Sequence, residues 1–336
     1  MSATAPRPPP PGGPPPLSSN APPSAAKRRN KSFDVSQLPS LKDGISPKEE
    51  ADKRRRTCRF LEEAGRVLKL PRVAVATAMV FFHRFYAKHS FAQHDRFEVA
   101  AACLLLAAKT EESPKKLNAV IGECHKLKTR GAAGRSPGPG MNSGSKGMSG
   151  TLDPKSEDFA KVKERVLLLE RVILHTIGFE LSIDHPYKFL VEQIKRLTQT
   201  RQIEYITPPA NAPPSQIMEK MTNNLVQYAM NFTNDSMHTS LCLQFPAKTI
   251  AAACVYLAGQ FAKVRPIGGK EWLGVLDCHD VEAIVSICLQ IMEMIEEKKG
   301  SHSEAFKGIR VELEKIRQEN TGGDTIPERD AKRPRV

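Results

Sequence analysis

Apolar residues recur at helical spacing along most of the chain, and the strict alternation that marks half-buried strands is nowhere sustained. The first clear helix start is Ser46-Pro47-Lys48-Glu49. It offers a serine to cap, a proline where a helix needs no N–H, and a glutamate three residues on to complete a capping box. From Pro47 onward Phe60, Leu61, Ala64, Val67 and Leu68 form one stripe. Leu70-Pro71 closes it, because the residue before a proline is driven out of the helical region. A second helix, with Pro71 at its first position, is predicted over 71–88, with Val75, Met79, Phe82 and Tyr86 along one face. A third, over 96–109, has no polar face between Val99 and Ala108 and so must be covered on all sides. Further helices are predicted over 158–177 (Val162, Val166, Leu169, Val172, Ile173), over 184–197 behind Asp184-His185-Pro186, and over 215–232.

The pattern contains a repeat. The run from Ala100-Ala101-Ala102-Cys103 to Ala107-Ala108-Lys109 returns as Ala251-Ala252-Ala253-Cys254 to Ala258-Gly259-Gln260, each after an amphipathic helix. Two copies of one all-helical unit, each built on an Ala-rich central helix, account for this. Chance likeness between Ala-rich helices is the bland alternative, and the shared Ala-Ala-Ala-Cys with matching flanks weighs against it. Low-complexity stretches divide the rest. Ten of the 26 prolines fall in residues 1–23, and such composition cannot bury enough apolar surface to offset the entropy of ordering, so 1–32 reads as a disordered arm. Residues 130–150 hold seven glycines and no branched apolar residue, which reads as a flexible insertion. The expected organisation is an arm (1–32), a first unit (33–182), a second unit (183–298), and a C-terminal helix with a basic tail (299–336).

A net charge of +13 invites a nucleic-acid partner, but the excess sits outside the helical units. Residues 1–32 and 126–150 each carry five bases and no acid, and the remainder is close to balanced. Direct nucleic-acid binding is therefore expected only through these arms. Seven cysteines without a C-x-x-C favour neither a disulfide framework nor a zinc ribbon. The longest apolar run, Val99 to Ala108, is half of what a bilayer needs, and the Pro-rich start has no apolar signal core, so a soluble intracellular protein is expected. Hydrolase, nucleotide-binding, zinc-protease and kinase signatures are absent, Cys124-His125 are adjacent rather than ligand-spaced, and the nine histidines are scattered. No cofactor, no metal and no catalysis are expected.

Six segments stand in order: His83-Arg84-Phe85-Tyr86, Ser90-Phe91, Ala107 through Lys116 (Ala-Ala-Lys-Thr-Glu-Glu-Ser-Pro-Lys-Lys), Ile177-Gly178-Phe179-Glu180-Leu181, Asp184-His185-Pro186-Tyr187 and Asn234-Asp235-Ser236. Together they resemble the transcriptional cyclins, cyclin T and cyclin K, over residues 33–298. The resemblance implies an all-α fold of two tandem five-helix cyclin boxes. It implies a non-catalytic subunit that binds and activates a cyclin-dependent kinase acting on the C-terminal domain of RNA polymerase II, promoting transcription elongation in the nucleus. In that family a Lys and a Glu of the first box bind the backbone beside the kinase's regulatory helix. The matching residues are Lys109 and Glu170, with Glu112 as a third; Phe179 and Leu181 would be apolar anchors. Bland roles stand beside these: Lys109 complementing a helix dipole, Glu170 pairing with Arg171 or Lys163 on its own helix, and Phe179 and Leu181 as core residues.

The chain departs from the pattern in places. Arg54-Arg55-Arg56-Thr57-Cys58 stands where cell-cycle cyclins carry a hydrophobic docking motif, and Lys53 to Arg56 read as a solvated helix face. The tryptophan-containing entry segment is reduced to Phe33. Gln260 replaces the first-box Lys in the repeat, so the second copy should not duplicate the kinase contact. Two alternatives remain open. One is an RNA-processing cyclin of the cyclin L type. The other is a DNA-binding general transcription factor of the TFIIB type, which needs an upstream zinc ribbon, whereas residues 1–56 hold no cysteine. Lys27-Arg28-Arg29 and Lys332-Arg333-Pro334-Arg335 read as nuclear-import clusters, or as solubilising terminal charge.

Overall fold

The computed structural model describes residues 33–133, 152–207, 213–276, 278, 280–299 and 304–321. The Pro-rich arm, most of the 130–150 insertion and the terminal tail, with both basic clusters, lie outside the described residues. The chain is built from α-helices: α1 (Pro39–Lys42), α2 (Pro47–Val67), α3 (Arg72–Phe85), α4 (Arg96–Thr110), α5 (Leu117–Ala133) and α6 (Glu157–Thr176) in a first bundle, then α7 (Pro186–Gln199), α8 (Pro214–Ser236), α9 (Leu241–Gln244), α10 (Ala247–Ala262), α11 (Trp272–Val275), α12 (Val281–Lys299) and α13 (Glu304–Thr321). Two three-residue strands, β1 (Ile203–Tyr205) and β2 (Val264–Pro266), pair antiparallel with Glu204 opposite Arg265.

The helix starts follow local chemistry with small shifts. Ser46 Oγ accepts from the Glu49 N–H at 3.2 Å and caps α2, but Glu49 does not reach back; its carboxylate pairs with Lys53 at 3.0 Å instead. Pro71 and His185 are the capping residues of α3 and α7, so Pro71 lies one position before the helix and Asp184 lies outside the cap. In α4 every residue from Val99 to Ala108 is buried. Packed round it are α2, α3, α5 and α6, and the small Ala side chains let these helices approach. The repeat holds in three dimensions: α10 is buried from Thr249 to Gly259 and is surrounded by α7, α8 and α12. Each bundle has its own core, and Met237 from the second half of the chain is buried in the first one.

One expectation is overturned. Arg54 is not part of a solvated face; it is 1% exposed. Its Nε donates to Glu50 at 2.6 Å, and Nη2 donates to the Tyr86 carbonyl at 2.8 Å. Its Nη1 faces His83 Nδ1 at 3.2 Å. A buried guanidinium is tolerable only when its donors are satisfied, and the carbonyls at the end of α3 do that. Among the described residues no helix is long and apolar enough to cross a membrane.

Candidate protein-binding face

The last turn of α4 carries Lys109, and the turn that follows reverses the chain through hydrogen bonds from the Glu111 N–H to Ala107 O (2.9 Å) and the Ser113 N–H to Ala108 O (2.8 Å). Glu112 occupies the left-handed position of that turn, at φ 50°, with its side chain exposed. Glu111 points inward and accepts from Thr77 Oγ1 at 2.7 Å. Across from Lys109, α6 supplies Glu170 from the edge of its buried stripe. Lys109 Nζ donates to Glu170 Oε1 at 2.7 Å; the lysine side chain is 52% exposed and the glutamate 10%. Glu170 therefore pairs between helices and not with Arg171 or Lys163 along its own helix.

Beyond α6 the chain turns through two consecutive left-handed residues, Gly178 (φ 65°) and Phe179 (φ 59°). The turn separates the two proposed anchors. Phe179 faces solvent, 60% exposed, with its ring edge-on to His175 at 5.2 Å between centroids. Leu181 is half-buried against the first core. The same helix exposes Leu167 and Leu168, which sequence reasoning left out. The available signal was two apolar residues lying off the periodic stripe of α6.

The second bundle shows what happens at the corresponding place. Gln260, the repeat counterpart of Lys109, donates through Nε2 to both oxygens of Glu312 on α13 at 2.9 and 3.0 Å. Phe306, Ile309, Leu313 and Ile316 of α13 are buried in the second core. A helix of the chain itself thus covers there what the first bundle leaves open. Elsewhere, burial pushes the thiols of Cys124 and Cys254 up to about 12, far from a reactive thiolate. Among the described residues no three His, Cys, Asp or Glu side chains group as a metal site requires.

The cyclin N-terminal domain model matches residues 29–182, a range that takes in α1 to α6 of the first bundle. The chain belongs to the cyclin family. This cyclin is 35% identical over 277 residues to cyclin-T1-5 of Arabidopsis thaliana, covering 80% of the chain and 42% of that protein. It is 33% identical over 273 residues to human cyclin-K (79% and 40% covered) and 32% identical over 270 residues to human cyclin-L1 (80% and 44%). The chain spans about half the length of the curated relatives it matches. Its fold is similar to that of a chain in the crystal structure of the yeast RNA Pol II CTD kinase CTDK-1 complex. That likeness has a TM-score of 0.52 and 19% identity, covering 76% of this chain and 69% of the other.

Proposed function

We propose that this cyclin is a regulatory subunit whose first box docks a cyclin-dependent kinase through the face around Lys109 and Glu170, and that the second bundle is a second cyclin box. The observation that carries the reading is the Lys109–Glu170 pair at the edge of the α4–α6 contact, 2.7 Å long and open to solvent on the lysine side. The ammonium has further N–H groups for backbone carbonyls, and the second carboxylate oxygen can accept an amide; such charge-assisted bonds are strong in a partly desolvated interface. Leu167, three residues before Glu170 and on its side of α6, adds exposed apolar area, and Phe179 exposes more beyond the end of the helix. The covering of Gln260 by an amphipathic helix supports a helix as the element that fits the first-box face. Docking there would favour the kinase conformation in which its catalytic Lys–Glu ion pair is formed.

Similarity to cyclins T and K supports the C-terminal domain of RNA polymerase II as the kinase's substrate, transcription elongation as the step served and the nucleus as the compartment. The terminal basic clusters would serve import. Tagged chain purified from a nuclear fraction should bring down a cyclin-dependent kinase, and polymerase-tail peptides should be phosphorylated only with both subunits present. Lys109→Ala and Glu170→Ala should each weaken kinase binding by about 1–3 kcal/mol with little change in melting temperature. Kinase activity in the chain alone, or lost stability with unaltered affinity, would sink the reading. A co-purifying kinase of the splicing class would favour the cyclin L alternative, given 32% identity to cyclin-L1.

A further inference from the structure

Glu111 is the C-cap residue of α4, its N–H donating to the Ala107 carbonyl. A carboxylate there stands at the negative end of the helix dipole, where a base would be favoured. Its side chain turns inward all the same. Glu111 Oε1 accepts from Thr77 Oγ1 at 2.7 Å, and that hydroxyl oxygen lies 2.8 Å from Nε2 of His185, the capping residue of α7 at the start of the second bundle. Thr77, on α3, is fully buried. The proton count fixes the direction of this chain. A carboxylate only accepts, so the single hydroxyl proton of Thr77 goes to Glu111, and the threonine oxygen in turn accepts from His185. Burial lowers the pKa of His185 and keeps the ring neutral near pH 7, with one proton to place. That proton sits on Nε2, and Nδ1, buried, has no hydrogen-bond partner among the described residues.

We propose that His185 and Thr77 are positioning residues for the kinase-docking face. The hydrogen-bond chain from His185 through Thr77 to Glu111 holds the turn after α4 in the shape that presents Lys109 and Glu112, so kinase binding by the first bundle depends on the residue that starts the second. This rests on the docking function proposed above. The backbone of Glu111 lies between Lys109 and Glu112, and with its side chain pinned the chain leaves the helix in one way. The Glu112 N–H donates to the Lys109 carbonyl at 3.3 Å, the Ser113 N–H donates to the Ala108 carbonyl at 2.8 Å, and Glu112 is left-handed at φ 50°. A non-glycine residue in that region is strained and stays there only where its surroundings hold it. Freed from Thr77, the Glu111 carboxylate would turn out to water, away from the negative helix end. Packing alone explains why the Thr77 position is buried but not why it carries a hydroxyl, since valine has the same shape. Hydrogen bonds in a chain polarise one another, so losing one member is felt at the far end.

Long-range proton–nitrogen spectra of the isotopically labelled full chain test the relay before any kinase is added. At pH 7 His185 should be protonated on Nε2; a proton on Nδ1 would turn the Thr77 hydroxyl toward the ring, cut the link to Glu111 and overturn the proposal. Thr77→Val keeps the shape and removes the hydroxyl. It should speed exchange of the Glu112 and Ser113 amides at least about fivefold and leave Leu104, in the middle of α4, unchanged, and Thr77→Ser should restore the slow rates. Binding of the kinase brought down by the tagged chain should weaken about three- to tenfold in Thr77→Val and recover in Thr77→Ser. His185→Phe, which keeps a ring and loses the donor, should reproduce both effects. Adding Glu111→Ala to Thr77→Val should weaken binding no further, because both act through one contact. Additive losses would mean that Glu111 touches the kinase itself, and undiminished affinity in Thr77→Val would mean that the turn needs no such support; either overturns the proposal. Affinity lost in Lys109→Ala but kept in Thr77→Val refutes the positioning role alone, whereas affinity unmoved by Lys109→Ala refutes the docking face and the positioning role with it.

Discussion

His83 is fully buried at the contact between the bundles, its Nδ1 accepting from Arg54 and its Nε2 donating to the Met237 carbonyl at 3.0 Å. Burial, with the Arg54 charge beside it, holds its pKa down to about 3, against about 6.5 in an unfolded chain. Between those values the unfolded chain binds a proton that the folded one refuses, so stability rises with pH across this window and falls on acidification. The slope from this residue is about 1.4 kcal/mol per pH unit. His185, also lowered by burial, acts in the same direction. Urea midpoints measured from pH 4 to 6 should show a shallower slope in His83→Gln; an unchanged slope would refute the assignment. Residue identity alone reveals such sites unevenly. Lys109 stands inside a motif, and its proposed partner Glu170 does not; only the structure brings the two together, at 2.7 Å. The burial of Arg54 was not legible: a helix turns about 100° per residue, so among four consecutive bases one can face inward, and only the carbonyls of α3 determine which. Phe179 and Leu181 shared the same two readings from sequence, anchor or core, and the left-handed turn separates them: Phe179 faces solvent and Leu181 packs on the first core.

At the scale of elements, the two central helices match each other closely, with one informative difference. Ala108 of α4 corresponds to Gly259 of α10, and the Trp272 indole of α11 lies where a side chain on Gly259 would be. Gly259→Ala forces overpacking and should cost about 1–3 kcal/mol, read as a lowered urea midpoint and faster hydrogen exchange in α10. A midpoint unchanged or raised, as a helix interior free of steric conflict would give, counts against this packing. Most of the long helices, α12 excepted, were legible because their stripes and caps are written in neighbouring residues. The helix α5 was not, since no strong cap announces it and Gly122 interrupts it. Nor was the ribbon: three-residue strands are too short to show alternation and exist because each supplies the other's hydrogen bonds.

Across the whole molecule the bundles are tied by contacts far apart in sequence: His83 to Met237, Thr77 Oγ1 to His185 Nε2 at 2.8 Å, and Arg55 to Glu297 at 2.6 Å. Met237 sits in the first core itself. Loss of either bundle would leave buried polar groups of the other unpaired, which costs more than the bonds contribute. Calorimetry should therefore show one transition, with calorimetric and van't Hoff enthalpies in agreement, and two resolved transitions would show the bundles to be independent. The sequence by itself determined the all-helical class, the main helices, the repeat and the family, because periodicity, caps and motifs are properties of adjacent residues. Tertiary structure alone decided which arginine is buried and which of two equivalent faces is covered. Those outcomes depend on partners tens to hundreds of residues away, whose positions no local pattern encodes.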